Sequence, residues 1–343
     1  MTSLAAYTDR RDTVGARSFI AVLTLLAALS AMMLLLASHA SADPSKWQAE
    51  GWETDFSRTV IDLADVQEGG PARDGIPPIN GPSFIGVSDV EHLSPLDPVM
   101  SFTRNGETRA YPLRVMTFHQ IVNDVVGGAP VAVTYCPLCN SAMVFDRTVG
   151  NDVLVFGTTG KLRNSDLIMY DRATESWWQQ FSGEAIVGSY GGTELTILPS
   201  QIMSFELFAE AHPDGIVMED PSEFVRPYGL NPYQGYDTSA EPFLYTGTYP
   251  EGIAPLQRVV MVRGGNELFA ISTAKLAEEG FFEKAGMEVL FQPGQASALD
   301  TEVMSEGRDV GNITVTQDGE LIVHDVTFAF VVHAFQPDLE IIQ

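Results

Sequence analysis

The chain repeats part of its own sequence, and this repetition restricts the folds open to it more than any other feature does. Residues 259–270 resemble residues 99–110, including an Arg-x-Gly turn and a later alanine. Residues 287–299 align with residues 132–144 once a one-residue shift is allowed in the first positions. Such self-similarity indicates a structural unit that occurs twice. The sequence therefore predicts two tandem related halves, residues 76–224 and residues 253–343, joined by a Pro/Gly/Tyr-rich linker over residues 225–252.

Short apolar runs separated by turn residues indicate that most of the regular structure is β. Residues 99–103 and 108–111 flank Asn105-Gly106, a dipeptide typical of hairpin turns. Similar runs predict further strands over residues 131–135, 142–145 and 167–170. The expected fold class is α+β and mostly β, with antiparallel strands and a few short helices.

A change of period predicts a helix over residues 113–126. Val115, His119, Val122 and Val126 lie at helical spacing, and Gly127-Gly128 follows as a C-cap would. His119 shares the apolar stripe and should point inward. Two interpretations are open for it: a hydrogen-bonded core histidine, or a ligand brought near Cys136 by the tight connection to the next strand.

Cys136 and Cys139 are the only cysteines, and they stand at the end of a strand-like run as Cys-Pro-Leu-Cys. Two sulfurs at this spacing can bind one metal ion, close a small disulfide or cycle between thiol and disulfide. No helical period follows Cys139, so the helix N-terminus that lowers a thiol pKa in thioredoxin-like proteins is not expected here. In the repeat alignment Gln292 and Gln295 replace the cysteines, which indicates that the fold does not need the sulfurs for its shape.

The ligand set narrows the choice of metal. A structural zinc site needs four ligands, and the chain has neither a second Cys-x-x-Cys nor a His-x(3–5)-His, so zinc is less favoured. A c-type haem needs histidine directly after the second cysteine, where Asn140 stands, so no haem is expected. Copper(I) accepts two or three soft ligands, which makes copper the first choice. The predicted ligands are Cys136, Cys139 and His119, with Met143, Met169, Asp166 and Asp171 as additional candidates.

The N-terminal residues 1–42 have the features of a targeting segment. Arginines precede an apolar run over residues 19–37, and Ala40-Ser41-Ala42 fits a signal-peptidase site. The run is also near the length that spans a bilayer, so an uncleaved membrane anchor is the alternative to a cleaved signal peptide. The predicted location is exported, periplasmic or otherwise extracytoplasmic, and residues 43–75 are read as a lead-in segment.

The charge balance excludes one class of partner. The chain carries 45 acidic and 19 basic residues, for a net charge of -26. Nucleic-acid binding depends on clustered lysine and arginine, so DNA and RNA are not expected partners. The sequence identifies no protein partner.

Several ordered motifs resemble one bacterial and archaeal family, domain of unknown function 3179. They are D-G-I-P-P-I at 74, A-Y-P-L-R at 110, H-Q-I-V-N-D at 119, T-Y-C-P-L-C-N-S at 134, F-G-T-T-G-K-L at 156, N-S-D-L-I-M-Y-D-R-A-T-E-S at 164 and H-P-D at 212. The resemblance covers roughly residues 70–220 and the C-terminal end. It implies no activity, although the family's recurrent histidine and cysteines correspond to His119, Cys136 and Cys139.

Three functions remain open from the sequence. The first is an exported protein that binds a soft metal ion or performs thiol redox work through Cys136 and Cys139. The second is a non-enzymatic binding or scaffold domain in which the two cysteines form a static disulfide. The third is an enzyme that uses His119, Asp166 and Asp171.

Overall fold

The computed structural model describes residues 44–264 and 267–343. Residues 44–343 form one compact unit, mostly β with five short helices. The predicted signal peptide or anchor, including residues 19–37, lies outside the described residues. Among the described helices, none has the length and apolar character needed to cross a bilayer.

The helices are α1 (Pro44–Ala49), α2 (Leu113–His119), α3 (Phe205–Ala211), α4 (Thr273–Glu279) and α5 (Ala329–Phe335). The first strands are β1 (Val66–Glu68), β2 (Ile79–Asn80), β3 (Phe84–Gly86), β4 (Pro98–Arg104), β5 (Glu107–Pro112), β6 (Ile121–Val126), β7 (Ala129–Cys136) and β8 (Ser141–Asp146). They are followed by β9 (Thr148–Val149), β10 (Asp152–Val153), β11 (Phe156–Arg163), β12 (Asp166–Asp171), β13 (Trp177–Gln179), β14 (Ala185–Val187), β15 (Ile197–Leu198), β16 (Gln201–Ser204) and β17 (Ile216–Met218). The last are β18 (Arg258–Gly264), β19 (Glu267–Ser272), β20 (Phe281–Lys284), β21 (Met287–Gln292), β22 (Asn312–Gln317), β23 (Glu320–Leu321), β24 (Val323–Phe328) and β25 (Ile341–Ile342).

Five sheets of four or five strands make up the architecture, and they are arranged like a five-bladed propeller ring. Sheet I has the order β1-β11-β12-β13-β14, sheet II β15-β8-β7-β6-β2 and sheet III β16-β4-β5-β17-β3. Sheet IV has the order β24-β18-β19-β25 and sheet V β20-β21-β22-β23. Strands β9 and β10 form a separate hairpin.

The helix predicted over residues 113–126 is wrong in its second part. Helix α2 ends at His119, because Gln120 takes a left-handed conformation with φ of 59° and its N–H bonds to the Met116 carbonyl. Residues 121–126 then form β6, which pairs with β7 over its whole length. Gly127 and Gly128, both at positive φ, make the hairpin turn between these strands and do not cap a helix. Val122 and Val126 fit both periods, so local spacing alone could not separate the two structures.

Sheets III and IV have corresponding strand orders. In each, a hairpin (β4–β5 or β18–β19) is flanked on one side by an antiparallel strand (β16 or β24) and on the other by a parallel strand (β17 or β25). The register also corresponds, since Val217 lies opposite Ala110 and Ile341 lies opposite Ala270. A helix follows the hairpin in both sheets, and another helix precedes the parallel strand.

Sheets II and V correspond in the same way, β6-β7-β8-β15 matching β20-β21-β22-β23. The β7–β8 ladder ends at the pair Cys136 and Ser141, whereas the β21–β22 ladder ends at Gln292 and Asn312. We call strands β1–β17 the earlier set and strands β18–β25 the later set. The two sets belong to one ring, because β24 packs on β8. They are not separate bodies.

The lead-in segment packs on the β-structure through aromatic rings. Trp47, Trp52 and Phe56 surround Trp177, with ring centroids 4.9, 5.3 and 5.2 Å from its ring. A larger apolar cluster, drawn from sheets I, II and IV, contains both cysteines together with Trp178, Phe156 and Phe328. The Cys-Pro-Leu-Cys turn is therefore inside the protein core.

Candidate functional site

The site is built on the tight turn that joins β7 to β8. Cys136 is the last residue of β7, and its carbonyl accepts a bond from the Cys139 N–H at 3.2 Å. Pro137 occupies the second position of this turn, where its fixed φ is favourable. Asn140 leaves the turn with φ of 49°, a left-handed conformation that asparagine tolerates. No disulfide joins Cys136 to Cys139 in this structure.

Asp166 is the third member of the site. It opens β12, and one of its carboxylate oxygens and the two sulfurs all lie within 4.8 Å of one another. Cys136 is 1% exposed, and Cys139 and Asp166 are 0% exposed. Among the described residues this is the only group of three histidine, cysteine or acidic side chains placed closely enough to share a metal ion.

The two oxygens of Asp166 have different surroundings. Oδ1 accepts hydrogen bonds from the Gln179 side-chain amide at 2.6 Å and from the Phe181 N–H at 3.0 Å. Oδ2 is buried and has no hydrogen-bond partner among the described residues. Burial raises the pKa of Asp166 to about 6, although the bonds from Gln179 and Phe181 and the nearby thiols oppose the rise. The carboxyl group can therefore exchange a proton near neutral pH.

Burial favours the protonated form of the Cys139 thiol. Burial is the largest cause of the raised pKa of Cys139, and the neighbouring Cys136 and Asp166 raise it further. The Cys136 thiol donates a long bond of 3.9 Å to the Ser165 carbonyl. As the sequence predicts, a strand and not a helix follows Cys139, so no helix N-terminus lowers the thiol pKa.

Residues distant in sequence hold the turn in place. The Thr327 hydroxyl on β24 donates to the Cys139 carbonyl at 2.8 Å, and the Tyr236 hydroxyl donates to the Leu138 carbonyl at 2.9 Å. Asp325, also on β24, accepts a bond from the Ala142 N–H at 3.0 Å. The position of the sulfurs therefore depends on sheet IV as well as on sheet II.

Asp325 is a functional candidate that the sequence reasoning missed. Burial raises its pKa to about 7, and the negative charge of Asp166 adds to this rise. Its Oδ2 is buried without a hydrogen-bond partner among the described residues. A single aspartate inside a strand-like run carries no local signal, so only the packing of β24 on β8 reveals it.

His119 lies outside the group formed by the two sulfurs and Asp166. Its Nδ1 bonds to the Pro77 carbonyl at 2.7 Å, and its Nε2 to the Tyr228 hydroxyl at 2.7 Å. A carbonyl can only accept, so Nδ1 carries the hydrogen and Nε2 accepts from Tyr228. Burial lowers the pKa of His119, which favours this neutral form. Both ring nitrogens are engaged away from the cysteines.

The remaining predicted side chains divide into two groups. Asp171 is engaged in its own turn, where it accepts bonds from the N–H groups of Ala173 and Thr174 and from the Trp178 indole. Met143 and Met169 belong to the same buried cluster as the two cysteines. The thioethers therefore share the surroundings of the sulfur pair, whereas the Asp171 carboxylate serves local structure.

A cavity of about 490 Å³ is lined in part by Leu138 of the Cys-Pro-Leu-Cys turn. Leu138, Tyr233, Tyr236 and Phe243 contribute to its largely apolar wall, and the cysteines are not part of that wall. Leu138 belongs to the turn that carries both sulfurs, so the cavity lies beside that turn.

The chain belongs to the family described as "Protein of unknown function (DUF3179)", whose family model matches residues 73–339. This confirms the resemblance carried by the sequence motifs, and the match extends through the region between them. Neither a curated protein nor a solved structure matches the chain.

Proposed function

We propose that this protein binds one soft metal ion, copper(I) in the first place, through Cys136, Cys139 and Asp166. The observation that supports this proposal is the close grouping of three buried ligand atoms, one from each residue, within 4.8 Å. An isolated buried carboxylate oxygen is unfavourable, and a cation in this position would compensate it. In this proposal Asp166 is the third ligand, the role that the sequence analysis gave to His119.

The softness of the ligands favours copper(I). Cys136 and Cys139 supply two soft sulfur donors, and copper(I) accepts two or three soft ligands. Zinc is the weaker choice, because a closed zinc site takes four ligands and the described residues supply three.

Thiol redox chemistry is the second candidate, favoured by the i to i+3 turn that holds both sulfurs near Asp166. In this reaction a partner disulfide oxidises the pair. Cys136 and Cys139 lose two protons and two electrons and form one S–S bond, while the partner is reduced to a dithiol. Asp166 would accept the proton of Cys139. Because both thiols are at most 1% exposed, the turn must open before a protein partner reaches them.

The other two functions have less support. A static disulfide would leave the unpartnered oxygen of Asp166 without a role. An enzyme that uses His119, Asp166 and Asp171 would need groups that work together, whereas His119 and Asp171 are each engaged in separate hydrogen bonds.

The two related halves are proposed to derive from one duplicated unit. The corresponding strand orders of sheets II and V and of sheets III and IV support the duplication. Gln292 stands at the ladder end equivalent to Cys136, so the metal site belongs to the first half alone. We place the protein in an exported, periplasmic or extracytoplasmic compartment because of its N-terminal sequence.

The test is a titration of residues 43–343 with copper(I) and, separately, with zinc. Thiols are first counted as isolated and after reduction. We expect one tightly bound copper(I) per reduced chain, and loss of binding in the Cys136→Ser/Cys139→Ser double variant. Asp166→Asn should weaken binding, whereas the exposed control Asp318→Asn should not.

Failure of the reduced protein to bind either metal would overturn the metal proposal. If the reduced protein binds zinc more tightly than copper(I), zinc is the ion of this site. Reversible oxidation of both thiols by a disulfide reagent without tight metal binding would favour the redox function.

A further inference from the structure

A second cavity, of about 580 Å³, lies between sheet I and the later set of strands. Arg163, Phe181, Glu184 and Glu194 contribute one part of its wall, and Arg263 and Phe335 contribute another. We call it the two-arginine cavity. It shares no lining residue with the cavity beside Leu138.

Arg263 is the unusual residue of this cavity. Its guanidinium makes a single hydrogen bond to a described residue, a long one of 3.5 Å to the Phe181 carbonyl, and its Nε is buried without a partner. It forms no ion pair with a described residue. Arg263 is half-buried, and a partly desolvated guanidinium without an ion-pair partner can gain from an anion in the cavity.

The negative charge of Asp325 acts on Arg263, but it compensates Arg263 only in part. The two residues are diagonal neighbours on paired strands, since Met261 lies opposite Asp325 and Arg263 opposite Val323. Burial lowers the pKa of Arg263, and the negative charge of Asp325 opposes this effect. Asp325 itself has a pKa raised to about 7, so it is only partly ionised at neutral pH.

Arg163 brings a second guanidinium to the same cavity. It contacts the Gln179 side chain at 3.4 Å and the exposed Asp65 at 3.8 Å. Its Nε is likewise buried without a hydrogen bond. Two guanidinium groups therefore line one cavity, and the hydrogen bonds that each makes to described side chains and carbonyls are few and long.

The wall between the arginines is aromatic. The Phe181 and Phe335 rings lie 5.0 Å apart, Arg263 stands 5.2 Å from the Phe181 ring, and Arg163 stands 5.7 Å from the Phe335 ring. Such a surface can pack against a flat apolar group while the guanidinium groups contact a charged end.

The acidic groups of the cavity limit the charge of a ligand. Glu184 is half-buried and Glu194 is exposed, and an isolated bridge joins their backbones. With these glutamates in the wall, a dianion such as phosphate would be repelled more strongly than a monoanion. A planar carboxylate also matches the fork of a guanidinium group.

We propose that the two-arginine cavity binds a small monocarboxylate with an apolar or aromatic body. Its carboxylate contacts Arg263 and Arg163, and its body packs on Phe181 and Phe335. This site does not depend on the proposed metal centre, although both share Phe181, whose N–H donates to Asp166 and whose carbonyl accepts from Arg263.

The test uses benzoate as the probe and benzamide as its uncharged counterpart, with calorimetric titration and the shift of Tm as readouts. The variants are Arg263→Met and Arg163→Met, and the control is Arg226→Met at an exposed position. We expect saturable benzoate binding to the wild type and about tenfold weaker binding of benzamide. Each cavity variant should lose roughly tenfold in benzoate affinity, as for a charge-assisted hydrogen bond, while the control is unchanged.

Equal binding of benzoate and benzamide, or no benzoate binding, would overturn the proposal. Unchanged benzoate affinity in both cavity variants would also overturn it. If Arg263→Met does not fold, the benzoate affinity of Arg163→Met decides the test. The Cys136→Ser/Cys139→Ser variant should still bind benzoate, which separates this test from the test of the metal site.

Discussion

The Thr327 side chain donates a 2.8 Å hydrogen bond to the backbone carbonyl of Cys139, 188 positions earlier in the chain. Thr327 is fully buried on β24, next to the strand that carries the Cys-Pro-Leu-Cys turn. The later set of strands thus holds the turn that carries both sulfurs, even though it contributes no cysteine.

Loss of this bond should destabilise the turn. Thr327→Val keeps the shape of the side chain but leaves a buried carbonyl without this donor, so we expect the free energy of unfolding to fall by about 1–3 kcal/mol. The measurement is urea denaturation of the metal-free protein. Thr103→Val, at an exposed position on β4, is the control and should change stability by less than about 0.5 kcal/mol. Equal effects of the two substitutions would show that the Thr327 bond contributes little.

Asp325 should make the protein less stable as the pH rises. Its pKa is raised from 3.8 to about 7, so the folded state binds a proton that the unfolded state has already released in this interval. The stabilisation is therefore present below pH 3.8 and is lost as the pH rises to about 7.

The measurement is the difference in unfolding free energy between Asp325→Asn and the wild type, followed across that interval. We expect the variant to gain relative stability with increasing pH. A difference independent of pH would contradict the raised pKa.

Metal binding should become tighter with increasing pH. Each thiol must lose its proton to bind the ion, and the pKa of Cys139 is raised by burial. We expect copper(I) binding to release close to two protons, measured by calorimetry in buffers of different ionisation enthalpy. Binding without proton release would mean that the thiols are not the ligands.

His119 should be dispensable for metal binding. His119→Gln retains hydrogen-bonding capacity in the pocket formed by Pro77 and Tyr228, and the ring lies outside the sulfur and carboxylate group. We expect an unchanged copper(I) affinity alongside a measurable loss of stability. A tenfold loss of affinity would instead show that His119 reaches the ion, as its place in the sequence suggested.

The lead-in segment should be essential for stability. Trp52 is 3% exposed and packs against Trp177 and Tyr170 at ring distances of 5.3 and 5.1 Å. We expect Trp52→Ala to lower the free energy of unfolding by about 3–5 kcal/mol, measured by denaturation. Val60→Ala, at a half-exposed side chain, is the control and should cost much less. A small loss at Trp52 would mean that the segment is only loosely attached.

Local sequence was sufficient where a structure depends on neighbouring residues. The β4–β5 hairpin follows from Asn105-Gly106, and the absence of a helix after Cys139 follows from the lack of a helical period. It failed at residues 121–126, where two valines fit both a helix and a strand. Pairing with β7 decided between a helix and a strand, because a strand at residues 121–126 satisfies the backbone hydrogen bonds of both β6 and β7.

The sequence by itself determined the family, the mostly β class and the Cys-Pro-Leu-Cys pair. Only the tertiary structure decided which residues accompany the sulfurs. Asp166 was one of several additional candidates and Asp325 was unnoticed, because their proximity to the turn results from packing between sheets. The raised pKa values of both groups have the same origin, since burial removes water from carboxylates that look ordinary in the sequence.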